Sequence, residues 1–147
     1  MIFGTLAISG VSMGATSSIN INASAPVPAK CEITAMTDVA FGTYDPLSGT
    51  NPDAVGEMDF KCVKGTSYKT YIVGTREMIG AVEADILDFE LYSDDLRTTV
   101  YPSDNSGDST LSNSNGLIKS MIYGRIPANQ DVWVDTYSRV LTATVEY

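Results

Sequence analysis

The sequence predicts an all-β domain, a sandwich or barrel of roughly seven or eight short strands. Three observations predict it. Short runs of apolar residues recur with period two, which places them on one face of a strand. Turn-forming Gly, Pro, Asn, Asp and Ser separate the runs. No window long enough for a helix carries a convincing helical period.

The elements follow in order. In residues 16–28, Ile19, Ile21, Ala23, Ala25 and Val27 alternate with Ser18, Asn20, Asn22, Ser24 and Pro26, an apolar face on one strand. Pro26 and Pro28 then break it, since neither donates a ladder hydrogen bond. Residues 29–34 place Cys31 and Ile33 on one face, and residues 39–43 form a short strand before a turn-rich stretch to Asp53. Residues 56–63 set Met58, Phe60 and Cys62 against Glu57, Asp59 and Lys61. Lys64 and Gly65 turn the chain into a strand over 67–73. Residues 75–86 read as a short helix or loop. Residues 86–93 alternate Leu87, Phe89 and Leu91 with Asp88 and Glu90, and 97–101 form a further short strand. Residues 102–116 are a polar loop, and strands over 117–126 and 136–147 close the chain, the last with Leu141, Ala143, Val145 and Tyr147 on one face.

With 147 residues the chain fits one domain that can bury a core. Its net charge of −9, dispersed along the chain, argues against nucleic acid and against a membrane surface as partners. The absence of histidine removes the commonest general base and the commonest transition-metal ligand. The reading is therefore non-enzymatic, with no cofactor and no metal. Asp104 to Asp108 places oxygen ligands at alternate positions, but its glycine is misplaced for a calcium loop and no glutamate follows where one is needed. Asp45, Asp94 and Asp95 read as turn residues rather than a catalytic carboxylate pair. Trp133, Tyr123 and Tyr137 read as packing residues rather than sugar platforms.

Residues 1–15 hold an apolar run followed by small residues ending at Ala15, the pattern of a secretory signal cleaved near Ala15 and too short to span a membrane. No basic residue precedes the run, which points to a start that lies inside a longer leader. In an exported chain the two cysteines, Cys31 and Cys62, suggest one intramolecular bridge, tying the first strand of the sandwich to the third. The domain plan is a signal over 1–15, an alternating strand and hinge over 16–28, and a sandwich over 29–147.

These residues resemble the spore coat protein U family, which includes the major pilins of archaic chaperone–usher pili. Phe41, Gly42, Thr43, Tyr44, Asp45 and Pro46 are similar to the family's FGxYDP run, and Phe60 to Cys62 with Gly65 and Tyr68 to its second-cysteine strand. Arg76 and Met78 match its Arg-x-Met pair. Residues 87–94 are similar to its LxYxLYxD strand, and Tyr123, Gly124, Arg125, Ile126, Pro127 and Gln130 to its YGRIPxxQ turn. Tyr137 opens a run similar to the closing strand. Ser138 and Arg139 depart from the aspartate the family places there, and Asp135 and Thr136 from its glycine.

The resemblance implies an incomplete immunoglobulin-like sandwich of six to seven strands, with an apolar groove where one strand is missing. It implies that a periplasmic chaperone fills the groove before an outer-membrane usher assembles the fibre. The N-terminal strand of a second copy then replaces the chaperone, a form of β-augmentation. The donor residues would be Ile19, Ile21, Ala23, Ala25 and Val27. The product would be a homo-polymer at the cell surface, for adhesion or biofilm formation, with no membrane anchor. The rival reading is a self-complete secreted sandwich of a coat or matrix, or a carbohydrate-binding adhesin.

Overall fold

In the computed structural model, which describes residue 10 and residues 13–147, every regular element is a β-strand. They are β1 (Cys31–Thr37), β2 (Asp53–Cys62), β3 (Ser67–Val73), β4 (Glu77–Gly80), β5 (Ile86–Asp88), β6 (Glu90–Tyr92), β7 (Thr110–Leu111), β8 (Leu117–Arg125), β9 (Tyr137–Ser138) and β10 (Thr142–Glu146). One sheet has the order β1-β2-β8-β6, a second β10-β3-β7, and a small third β5-β4-β9. All the ladders between them are antiparallel. The all-β expectation holds. The predicted leader falls mostly outside the described residues.

Alternation builds the core. In β2, Ala54, Gly56, Met58, Phe60 and Cys62 are buried and the residues between them face outward. The register with β8 sets Phe60 opposite Ile118, Met58 opposite Ser120 and Gly56 opposite Ile122, so β8 adds its own inward face. Ile72 of β3 comes from the facing sheet, and Leu87, Phe89, Leu91 and Tyr101 fill the space between. Burying each such aliphatic or aromatic side chain stabilises the fold by roughly 1.5–3 kcal/mol.

Five expectations are corrected. Residues 39–43 form no strand; the chain instead crosses the top of the first sheet with Val39 and Phe41 laid over glycines. A Cβ at Gly124 would come within 2.6 Å of Val39 and 2.7 Å of Phe41, and one at Gly56 within 2.7 Å of the Thr37 carbonyl. With that strand gone, the disulfide joins consecutive strands, β1 and β2, rather than a first and a third. Residues 75–86 contain no helix but the strand β4 and a turn into β5, because pairing with β5 and β9 overrides a locally helix-compatible composition. Residues 97–101 give only the bridge between Tyr92 and Val100, and the polar 102–116 loop contains β7.

Candidate assembly site

The two sheets meet differently at their two sides. On one side Tyr101 N–H donates to the Leu91 carbonyl (2.8 Å) and Ile72 N–H to the Pro102 carbonyl (2.9 Å), so residues 100–102 join β6 to β3. On the other side stand β1 and β10. Among the described residues β1 pairs only with β2, and β10 only with β3. They run in opposite directions and share no ladder among the described residues.

This open side leaves core-facing groups half-covered. Ile33 pairs with Phe60 and Met36 with Met58, so both lie on the inward face of β1. Yet Ile33 is 43% and Met36 46% exposed, while their partners are buried. Leu141, just before β10, and Ala143 and Val145 of β10 pack on the core but stay only partly buried. Such a row of apolar groups beside unpaired strand edges is a template for another strand. Sequence reading missed Met36. A β-bulge between Ile33 and Ala35 shifts the alternation by one residue, which a strict period of two conceals.

The alternating N-terminal segment lies outside every sheet. Residues 13–30 belong to no strand and are exposed throughout. Ile19 and Ile21 are each 91% exposed and Val27 78%, with Ala23 and Ala25 equally uncovered. No residue from 1 to 29 carries a side-chain charge; Lys30 is the first.

Cys31 and Cys62 form a disulfide across the first rung of the β1–β2 ladder. The Val63 N–H donates to the Lys30 carbonyl at 2.8 Å just beyond it. The bridge thus fixes the point where the N-terminal segment leaves the body.

The remaining motif residues gather at the opposite end of the sheets and hold loops. Phe41 meets the Phe89 ring edge-on at 5.8 Å, and Gly42 turns the chain at φ +71°. The Tyr44 hydroxyl donates to the Pro127 carbonyl (3.1 Å) and accepts from the Gln130 N–H (2.9 Å). Gln130 in turn clasps the Asp88 backbone through both ends of its amide. Arg125 donates two bonds to Asp53 (2.7 and 2.8 Å), and these hold the Asp53 carboxyl below the usual carboxylate range. Arg97, stacked 5.8 Å over Tyr123, also reaches Asp53 and donates to the Gly124 carbonyl. The Tyr137 hydroxyl donates to the Trp133 carbonyl. Asp94 accepts from Thr98 and Thr99, and Asp104 from the Ser106 N–H, as turn caps do. Among the described residues no helix is long and apolar enough to cross a membrane.

Comparison with known proteins bears on these features. No curated protein matches the chain in sequence. Among solved structures it is similar to a chain of the chaperone–tip adhesion subunit pre-assembly complex from archaic chaperone–usher Csu pili of Acinetobacter baumannii, with a TM-score of 0.61 and 19% identity. The likeness covers 82% of this chain but 40% of that one, so this chain spans less than half of its relative's length. At such identity the likeness bears on the fold, and it identifies the two facing sheets as an immunoglobulin-like sandwich. The sequence pattern of the Spore Coat Protein U domain matches residues 15–144, so this chain belongs to the Spore Coat Protein U family.

Proposed function

We propose that this chain is a structural pilus subunit that polymerises by donor-strand exchange into an archaic chaperone–usher fibre serving adhesion or biofilm formation. One observation carries the reading. An alternating, uncharged segment lies outside every sheet, while the body offers two antiparallel edges with half-covered apolar groups between them. Segment and gap are complementary in chemistry. A strand between β1 and β10 would give both edges hydrogen-bond partners and cover Ile33, Met36, Leu141, Ala143 and Val145.

The segment of a second copy supplies that strand, with Ile19 and Ile21 as the largest anchors and Ala23, Ala25 and Val27 following. Because the gap of one copy is filled by the segment of the next, the contact does not close and a filament grows. Before assembly the exposed gap needs a temporary partner, which is the place for a periplasmic chaperone, with the usher receiving the subunit. The chain is exported, passes through the periplasm and ends at the cell surface. The role is structural rather than catalytic.

Electron microscopy of the full chain with Ile19→Asn and Ile21→Asn tests the reading. Fibres should disappear, since each isoleucine contributes roughly 1.5–3 kcal/mol on burial and asparagine contributes none. Fibres of normal length from this variant would end the donor-strand account. Gel filtration addresses the rival self-complete sandwich, which predicts a stable monomer that needs no chaperone.

A further inference from the structure

The two ends of the sandwich differ in charge. At the end where the N-terminal segment leaves, Lys30, Lys61 and Lys64 are exposed. Lys61 sits opposite Leu117, and the Lys64 N–H is held by Asn115 at 2.6 Å. Leu111 and Leu117, 54% and 49% exposed, lie at the same end. Lys69 and Lys119 follow further along the same strands, so all the lysines of the chain belong to this half. Glu32 lies beside Lys30 at 3.5 Å, Glu57 and Asp59 hold Lys119, and Glu146 stands opposite Lys69, while Lys61 and Lys64 have no ion pair among the described residues.

The other end is acidic. There β3 finishes opposite the start of β10, β2 begins opposite the end of β8, and the small sheet β5-β4-β9 continues the chain outward. Its turn over 81–85 is clasped to residues 131–136. Asp135 accepts from the Val82 and Glu83 N–H groups (2.8 and 3.1 Å), and Asp85 accepts from the Trp133 N–H (3.0 Å). The clasp holds an apolar crest in solvent, with Val82 80%, Trp133 67% and Val134 103% exposed. Glu83, Asp85, Asp131 and Asp135 lie in the crest's own segments and Glu77 and Asp88 at the base of the β4–β5 hairpin; of the arginines at this end, Arg76 is paired with Glu90 and Arg97 and Arg125 with Asp53, and Arg139 follows β9.

We propose that in the polymer the Trp133 crest of one copy docks on the lysine-bearing end of the next, a second joint beside the donated strand. The inference rests on the donor-strand reading. A strand between β1 and β10 is parallel to one and antiparallel to the other. Antiparallel to β10, it runs toward the Thr142 end, where the crest begins. Residues 28–30 then span at most roughly 10 Å before Cys31 of the next body. That distance is about one Debye length at physiological salt, so the two ends feel each other's charge. The reverse orientation would press two lysine-bearing ends together. Bodies of net charge −9 repel, and local pairing of opposite ends offsets that repulsion at the joint while Trp133 meets Leu111 and Leu117.

Trp133 is the sole tryptophan, so its fluorescence reports the joint directly. Acrylamide quenching is compared between fibres of the full chain and the unpolymerised Ile19→Asn/Ile21→Asn chain. Quenching should fall at least about two-fold in fibres as water is excluded from the crest. Glu83→Lys with Asp131→Lys, or Lys61→Glu with Lys64→Glu, should return fibres to the unpolymerised value, and combining all four should restore protection. Equal quenching in wild-type fibres and unpolymerised chain overturns the joint while leaving the donated strand intact. Protection that survives both reversals overturns the charge pairing. Fibres formed by the Ile19→Asn/Ile21→Asn chain, or none formed by the wild type, overturn the donor-strand reading and the joint with it.

Discussion

The two sides of this sandwich are built from the same sheets, yet one is shut and the other is not. On the shut side, Tyr101 and Ile72 are each 2% exposed, beneath the hydrogen bonds that carry residues 100–102 from β6 to β3. On the open side, the inward groups of β1 are nearly half exposed despite facing fully buried partners on β2. Inward-facing residues are present on both sides, so composition does not explain the difference. What differs is a strand. A short bridging segment of the chain itself completes the first side, and no described part of this chain completes the second.

The largest loss belongs to the shut side. Tyr101→Ala removes a buried ring and the hydrogen bond its hydroxyl shares with Ser120 at 2.7 Å, and should cost about 3–5 kcal/mol in denaturant unfolding. Next comes the disulfide. The Cys31→Ala/Cys62→Ala chain should lose about 3–4 kcal/mol, the loop-closure entropy of a cross-link at a sequence separation of 31. That loss should fall on the isolated subunit more than on the polymer, where the added strand supplies burial of its own.

On the open side, Ile33→Ala and Met36→Ala should each cost less than about 1 kcal/mol in the isolated chain, because much of each side chain already meets water. In the polymer the same changes should each weaken the joint by about 2–5 kcal/mol, the range for truncating a buried aliphatic group, read as earlier dissociation of fibres in denaturant. Equal small effects in both states would mean that the open side stays open.

The smallest effect concerns acid. Asp53 is held below its ordinary range chiefly by the bonds from Arg125, with Arg97 adding to them against the opposing effect of burial. A depressed carboxyl pKa adds stability that is complete above the unfolded value near 4 and is lost as pH falls through the folded value. Stability should therefore drop with acid below about pH 4. Asp53→Asn should flatten that slope while lowering stability modestly at neutral pH.

Much of the shut architecture is legible in the sequence, because burial on one face writes itself as alternation. Met58, Phe60 and Cys62, and Leu87, Phe89 and Leu91, are readable as inward rows, and the structure buries all of them. Features made by contact between distant segments are not readable in this way. Val39 and Phe41 look like a strand until Gly56 and Gly124 offer them a slot. Residues 75–86 look helical until Gly80 finds Tyr137 across a ladder. Met36 escapes because a bulge changes the phase. The N-terminal row from Ile19 to Val27 is fully legible as a pattern, and its exposure adds what the pattern lacks: among the described residues it has no face of its own body to cover.

Amide hydrogen exchange, compared between the unpolymerised chain and the polymer, tests the central claim most directly. The amides of β1 and β10 not bonded to β2 or β3 should exchange freely in the isolated chain and slow by orders of magnitude on polymerisation, together with the amides of residues 19–27. Tyr101 and Ile72 should be protected alike in both states. Equal protection of β1 and β10 before and after polymerisation would contradict the account, since the open side would then have no strand to receive.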